Sequence, residues 1–107
     1  MITAQATKWA AEIAVNDCKK FGKICFCNVH AYKATGTLVS DETLFSLPWK
    51  PNVNANNAFI SAVGRNRSNG TTGAITIRID PEYNTVITTE NYSNYNEVRC
   101  YIVYLAE

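Results

Sequence analysis

The stretch "KICFCNVHAYK", residues 23–33, decides the fold. Its apolar and small residues Cys25, Cys27, Val29 and Ala31 alternate with Ile24, Phe26, Asn28, His30 and Tyr32. That is the period of two of a β-strand with one face turned to a core, and no helical face can be drawn through it. Just before it, "KKFGK" at 19–23 supplies the glycine of a tight turn, so the strand closes a hairpin with a partner over about residues 12–19.

Outward from this hairpin the same signals repeat. "TGTLVSDETLFSL" restarts the pattern after Thr35-Gly36, and "NAFISAVGR" and "GAITIRID" flank the polar loop "NRSNGTTG" with its Asn69-Gly70 turn signal. "NTVITTE" follows the "DPEY" turn. "NEVRCYIVYLAE" ends the chain with Val98, Cys100, Ile102 and Tyr104 opposing Arg99, Tyr101, Val103 and Leu105. About seven to eight short strands with regular turns and no crossover helices predict an all-β, antiparallel sandwich, jelly-roll-like fold or barrel. The sequence is read as one β-sandwich domain over 12–107 behind a lead-in of residues 1–11, where "AQATKWAAEIAVNDCKK" is ambiguous between helix and extended chain.

At 107 residues there is room for one modest core. Ten Lys and Arg against nine Asp and Glu give a net charge of +1, scattered along the chain, so neither nucleic acid nor an anionic membrane surface is an expected partner. Charged residues are 18% of the chain, below the usual quarter or so, and 12 Asn and 11 Thr fill the gap; such a surface suits neutral polar ligands or neighbouring subunits. No apolar run reaches the length of about 20 residues that a membrane helix needs. "MITAQATKWA" carries no basic region followed by an apolar block, so no signal peptide is expected.

Cys18, Cys25, Cys27 and Cys100 lack the paired knuckle spacing of structural zinc, and no metal is expected. Cys25 and Cys27, two apart on a strand, fill one apolar face as small hydrophobes. Reduced thiols are the expectation, with a bond from Cys18 to Cys25 or Cys27 left open. His30 is the one histidine and sits mid-strand, without a second imidazole for a metal pair. A cysteine nucleophile served by His30 would need an orienting third group, and no nucleophile motif surrounds any cysteine. Asp41-Glu42 and Asp80 with Glu82 are the best acid pairs for glycoside hydrolysis, but acids in turns are ordinarily solvated. No catalytic residue and no cofactor is assigned.

Candidate binding groups lie in the connections. "GRNRSNGTTG", residues 64–73, carries Arg65, Asn66 and Arg67, and its glycines do not have phosphate-loop spacing. "ENYSNYNE" carries Tyr92 and Tyr95; aromatic faces stack on sugars and amides bond hydroxyls, and half-buried anchoring of the loop is the equal alternative. Three Asn-x-Ser/Thr triplets, at Asn66, Asn69 and Asn91, are what an Asn- and Thr-rich chain makes by chance. In "LFSLPWKPN", residues 44–52, Pro48 ends a strand and Pro51 fixes the exit of the turn, leaving Trp49 to pack over the sandwich end or against another subunit.

The ordered series "KKFGKICFCNV", "GTLVSDETLFSLPWKPN", "AFISAVGR", "GAITIRIDPEYNTVITTE" and "VRCYIVYLAE" resembles the C-terminal receptor-binding domains of bacteriophage tail-fibre and baseplate proteins over about residues 12–107. Two departures stand out: the turn between Pro48 and Pro51 is shorter than the family's, and Asn84 replaces a turn glycine. The resemblance implies a virion protein made in a host cytoplasm, a homotrimer at a fibre tip that binds a host-surface saccharide or protein without catalysis. Trp49, Arg65, Asn66, Arg67, Tyr92 and Tyr95 are the ligand-binding candidates, chosen for chemistry and expected exposure. A purely structural trimerisation or capping module, a monomeric lectin-like adhesin and a glycan depolymerase are the alternatives.

Overall fold

The computed structural model describes residues 1–54 and 59–107. Among these residues the chain is all-β: β1 (Ile2–Ala4), β2 (Thr7–Lys8), β3 (Glu12–Phe21), β4 (Ile24–Tyr32), β5 (Thr43–Ser46), β6 (Phe59–Arg65), β7 (Thr72–Asp80), β8 (Thr85–Thr88) and β9 (Glu97–Leu105). Asn57 and Ala58, the first residues of the strand expected over "NAFISAVGR", lie outside the described residues. The strands form one antiparallel sheet in the order β1-β3-β4-β9-β6-β7-β8-β5-β2.

The sheet is curled into a half-barrel. Its two end strands, β1 and β2, are joined by only Gln5 and Ala6, and three peptide steps span at most about 11 Å. The opposite edges must therefore approach one another. Asn16 holds the join: its side-chain amide accepts from and donates to the Ala6 backbone, both at 2.7 Å, standing in for a missing strand. Ala11 N–H then donates to Leu44 O of β5, tying the start of β3 to the far edge. The lead-in is extended, and Trp9 in it is largely exposed.

Local chemistry explains the turns. Phe21 pairs with Ile24 around Gly22-Lys23, and Gly22 at φ +60° followed by a lysine at negative φ makes a type II′ hairpin. Asn84 occupies the left-handed region at φ +57°, as an asparagine in place of a turn glycine can. The concave face carries the core: Cys25, Cys27, Val29 and Ala31 from β4, Val98, Cys100, Ile102 and Tyr104 from β9, Ile75, Ile77 and Ile79 from β7, with Leu38, Leu44, Phe45 and Val86 closing it. The Cα radius of gyration, 13.0 Å, matches the value of about 13 Å for a compact chain of this length, so the core closes within one chain.

Candidate functional site

Residues that alternate with the core on β6 and β7 face outward, and they build a groove on the convex side of the sheet. Phe59 and Arg78 are paired across β6 and β7, with Thr76 two residues back on the same face. Asp41, Thr89 and Glu90 complete the lining of a cavity of about 350 Å³. Phe59 is 72% exposed, a flat apolar ring left in water at the groove's edge.

The rim is fastened. Asp41 sits at φ +61°, a left-handed position that aspartate tolerates, and its N–H donates to Thr88 O at 2.8 Å. Ser40 N–H donates to Asn91 Oδ1 at 2.8 Å and Ser40 Oγ to Thr89 O at 3.2 Å, while Thr89 Oγ1 donates to Thr76 O at 2.9 Å. The turns at 38–42 and 89–91 are thus clipped to each other and to β7. Among the described residues none of Asp41, Arg78 and Glu90 is in an ion pair, so two carboxylates and one guanidinium keep their hydrogen-bonding capacity for something else.

The six residues singled out in the sequence do not converge on this groove. Tyr95 is a packing element: its ring lies against Gly64 and Gly73 and packs on the core. Tyr92 packs on the core, and its hydroxyl accepts from Thr76 N–H at 2.8 Å, where β7 has run past the end of β8. Asn66 spends its amide internally, accepting from Ser68 and Asn69 N–H and donating to Asn94 O. Trp49 is packed against the core and is held by Tyr104, whose hydroxyl donates to Trp49 O at 2.9 Å. Seven residue steps along β9 separate Tyr104 from Glu97, placing Trp49 roughly 24 Å from the loops at the other end. Only Arg65 and Arg67 are brought together with groups free toward solvent.

Those two arginines and Arg99 surround Glu97. Arg67 Nη1 lies 3.1 Å from Glu97 Oε1, while Arg99 Nε and Arg65 Nη1 lie 3.2 and 3.5 Å from Oε2. The carboxylate is 4% exposed beneath them. The Arg67 guanidinium also sits 3.7 Å above the centre of the Tyr32 ring. Sequence reading missed Glu97 because register, not spacing, brings it opposite Arg65 and Tyr32. It missed Phe59 because a phenylalanine in a strand ordinarily reads as core.

The alternative chemistries fare differently. All four cysteines are free, buried thiols on the concave face, with Cys18 opposite Cys27 across β3 and β4. His30 projects from the convex face of β4, so the sheet separates the imidazole from every thiol. The contact between Cys18 and Cys27, followed by burial, pushes Cys27 well above the usual thiol range, and the same contact draws Cys18 down against its own burial. Burial raises Cys25, and raises Cys100 to about 12. Of the acids, Asp80 caps its own turn through Glu82 N–H, Glu42 pairs with Lys33 at 2.9 Å, and Asp41 reaches the groove. Compared with protein-family models, curated proteins and solved structures, the chain matches none.

Proposed function

We propose that this domain is a non-catalytic attachment module of a bacteriophage tail fibre or baseplate tip, holding a host-surface saccharide in the Phe59 groove. The observation that carries the reading is the groove's composition: an exposed aromatic ring beside two unpaired carboxylates, a guanidinium and two threonines on a braced sheet. A sugar offers an apolar C–H face for the ring and hydroxyls that donate to carboxylates and accept from guanidinium. A cavity of about 350 Å³ falls at the small end of ligand pockets, which run from about 300 to 1,000 Å³.

The homotrimer belongs to the same proposal. On the convex face Phe21, Ile24, Phe26, Tyr101, Val103 and Leu105 are contiguous over β3, β4 and β9, with Phe26 ring centroids 6.0 Å from Phe21 and 6.2 Å from Tyr101. Together they leave on the order of 400 Å² of apolar surface in water, the size at which a patch is often an interaction site. Packing of copies around a threefold axis would cover it.

The test is a glycan array probed with the purified domain, followed by titration of any hit against Phe59→Ala. Binding lost in that variant supports the reading. Silence across host-derived polysaccharides leaves the structural capping role, and release of reducing ends from a bound polysaccharide would make the groove hydrolytic, with Asp41 as the first acid to replace.

A further inference from the structure

The strongest charge anomaly of the molecule is the group of three arginines on one carboxylate. The chain's formal charge is +1, and this cluster alone carries +2, so the remainder has one more acid than base. The whole positive excess of the protein is gathered at one end of the convex face.

One guanidinium in a bidentate contact neutralises a buried carboxylate, so Glu97 does not need three. Glu97 lies under the cluster at 4% exposure, whereas the side chains of Arg65, Arg67 and Arg99 are 30, 39 and 44% exposed. What solvent meets there is guanidinium. Each guanidinium has five N–H donors, and Glu97 accepts one from Arg67 and one from Arg99 and pairs with Arg65 at 3.5 Å. Among the described residues no second carboxylate lies within ion-pair distance of any of the three.

The donors are also held in place. Arg67 is stacked on Tyr32, and its backbone N–H is tied to Asn96 Oδ1 at 3.0 Å. Arg65 and Arg99 project from paired strands, opposite Glu97 and Val63 respectively. Asn96 N–H donates to Arg65 O at 3.1 Å, closing the loop against β6. Pre-organised guanidinium forks over a desolvated base are the chemistry that recognises planar or tetrahedral oxyanions.

We infer that Arg65, Arg67 and Arg99 form an anion subsite that takes a carboxylate or phosphate group, carried by an acidic saccharide. The choice of a saccharide as the carrier rests on the attachment reading; the anion chemistry does not. Phe59 and Arg65 lie six residues apart on β6, roughly 20 Å on the same face, so subsite and groove are separate. The ligand is thereby expected to be acidic, where composition alone points to a neutral one.

Arginine Nε–Hε resonances read the subsite directly. At constant ionic strength the domain is titrated with inorganic phosphate, glucose 6-phosphate and tetragalacturonate, with a neutral dextran oligomer as control. The expected result is saturable shifts at Arg65, Arg67 and Arg99 with the anions and none with dextran, at a Kd on the order of 1 mM for phosphate alone. Response to glucose 6-phosphate only, or to the uronate only, identifies the phosphate or the carboxylate as the natural group, and either supports the site. Arg67→Gln should weaken binding by about tenfold, and Arg67→Lys should recover part of it, since charge returns without the fork. Arg99→Gln, on a side chain outside the loop, repeats the test, and unchanged backbone spectra verify folding. Linear shifts spread equally over the lysines, or undiminished affinity in both Gln variants, overturn the inference. Saturable anion binding with a silent glycan array sinks the attachment reading alone; saccharide binding at Phe59 without arginine shifts sinks the anion subsite alone.

Discussion

Tyr95 and Gly73 touch at a point where no other side chain would fit. Gly73 and Gly64 are partners across β7 and β6, and the Tyr95 ring lies over both, replacing the side chains they lack. A Cβ on Gly64 would stand 2.7 Å from Ile75 Cγ2 and 2.8 Å from Tyr95 Cδ2, and one on Gly73 would overlap Tyr95 Oη and stand 2.9 Å from Cζ. Both glycines are therefore required by close approach rather than by a turn.

Gly64→Ala and Gly73→Ala should each destabilise the fold by about 1–3 kcal/mol through overpacking, since either Cβ would meet the Tyr95 ring. Tyr95→Ala should cost a comparable amount by uncovering the same spot. Thermal melts check this: about 4–8 °C of Tm is lost for each kcal/mol in a domain of this size. An unchanged melt for Tyr95→Ala would mean that the ring is free for a ligand after all.

Phe59→Ala should behave in the opposite way. The ring is 72% exposed and packs little, so stability should move by less than about 0.5 kcal/mol while saccharide affinity at the groove falls. Calorimetric titration beside a melt separates the two effects. Loss of stability with intact binding would show the ring to be a structural cover.

The division between the two kinds of aromatic explains how far the sequence could be read. Alternation in residues 23–33 and 97–105 correctly gives strands, because burial of one face writes itself as period two. The turn at Asn84 is legible for a different reason, since asparagine tolerates the left-handed conformation of a turn glycine. Alternation does not distinguish one curled sheet from two packed ones, since that depends on which edges pair, and β1 and β2 are too short to announce themselves. In the same way, the sequence leaves Tyr92 and Tyr95 open between sugar-stacking aromatics and half-buried loop anchors, and the fold decides for anchors by laying the loop back over the end of the core. Arg65 and Arg67 were legible as chemistry; Glu97 and Arg99, which define their charge balance, come from a strand thirty residues on.

The buried thiols predict an alkaline limit. Cys100 is raised to about 12 by burial, and Cys25 and Cys27 are also raised, so the folded state keeps protons that the unfolded chain releases near the ordinary thiol value of about 8.5. Stability from these groups is fully present below that value and is lost as pH rises through each folded value, up to about 12 for Cys100, by roughly a factor of ten in the unfolding equilibrium per pH unit for each thiol still protonated in the folded state. Denaturant midpoints should be flat around neutrality and drop above about pH 9. A thiol reagent should find four slow groups in the native protein and four fast ones in denaturant. Fast labelling at neutral pH would contradict the burial.

The apolar convex patch sets the last expectation. Val103 is 55% exposed and Tyr101 62%, on the side of β9 away from the core, so charges placed there should be tolerated by the monomer. If three copies pack through this face, light scattering on a sizing column should give about three times 11.9 kDa for the native chain. Val103→Asp with Tyr101→Glu should give a folded monomer, because a desolvated carboxylate without a partner opposes association far more than it perturbs an exposed strand face. A native monomer over a wide concentration range would remove the trimer from the proposal while leaving the groove and the anion subsite, each built within one chain, to be judged by their own titrations.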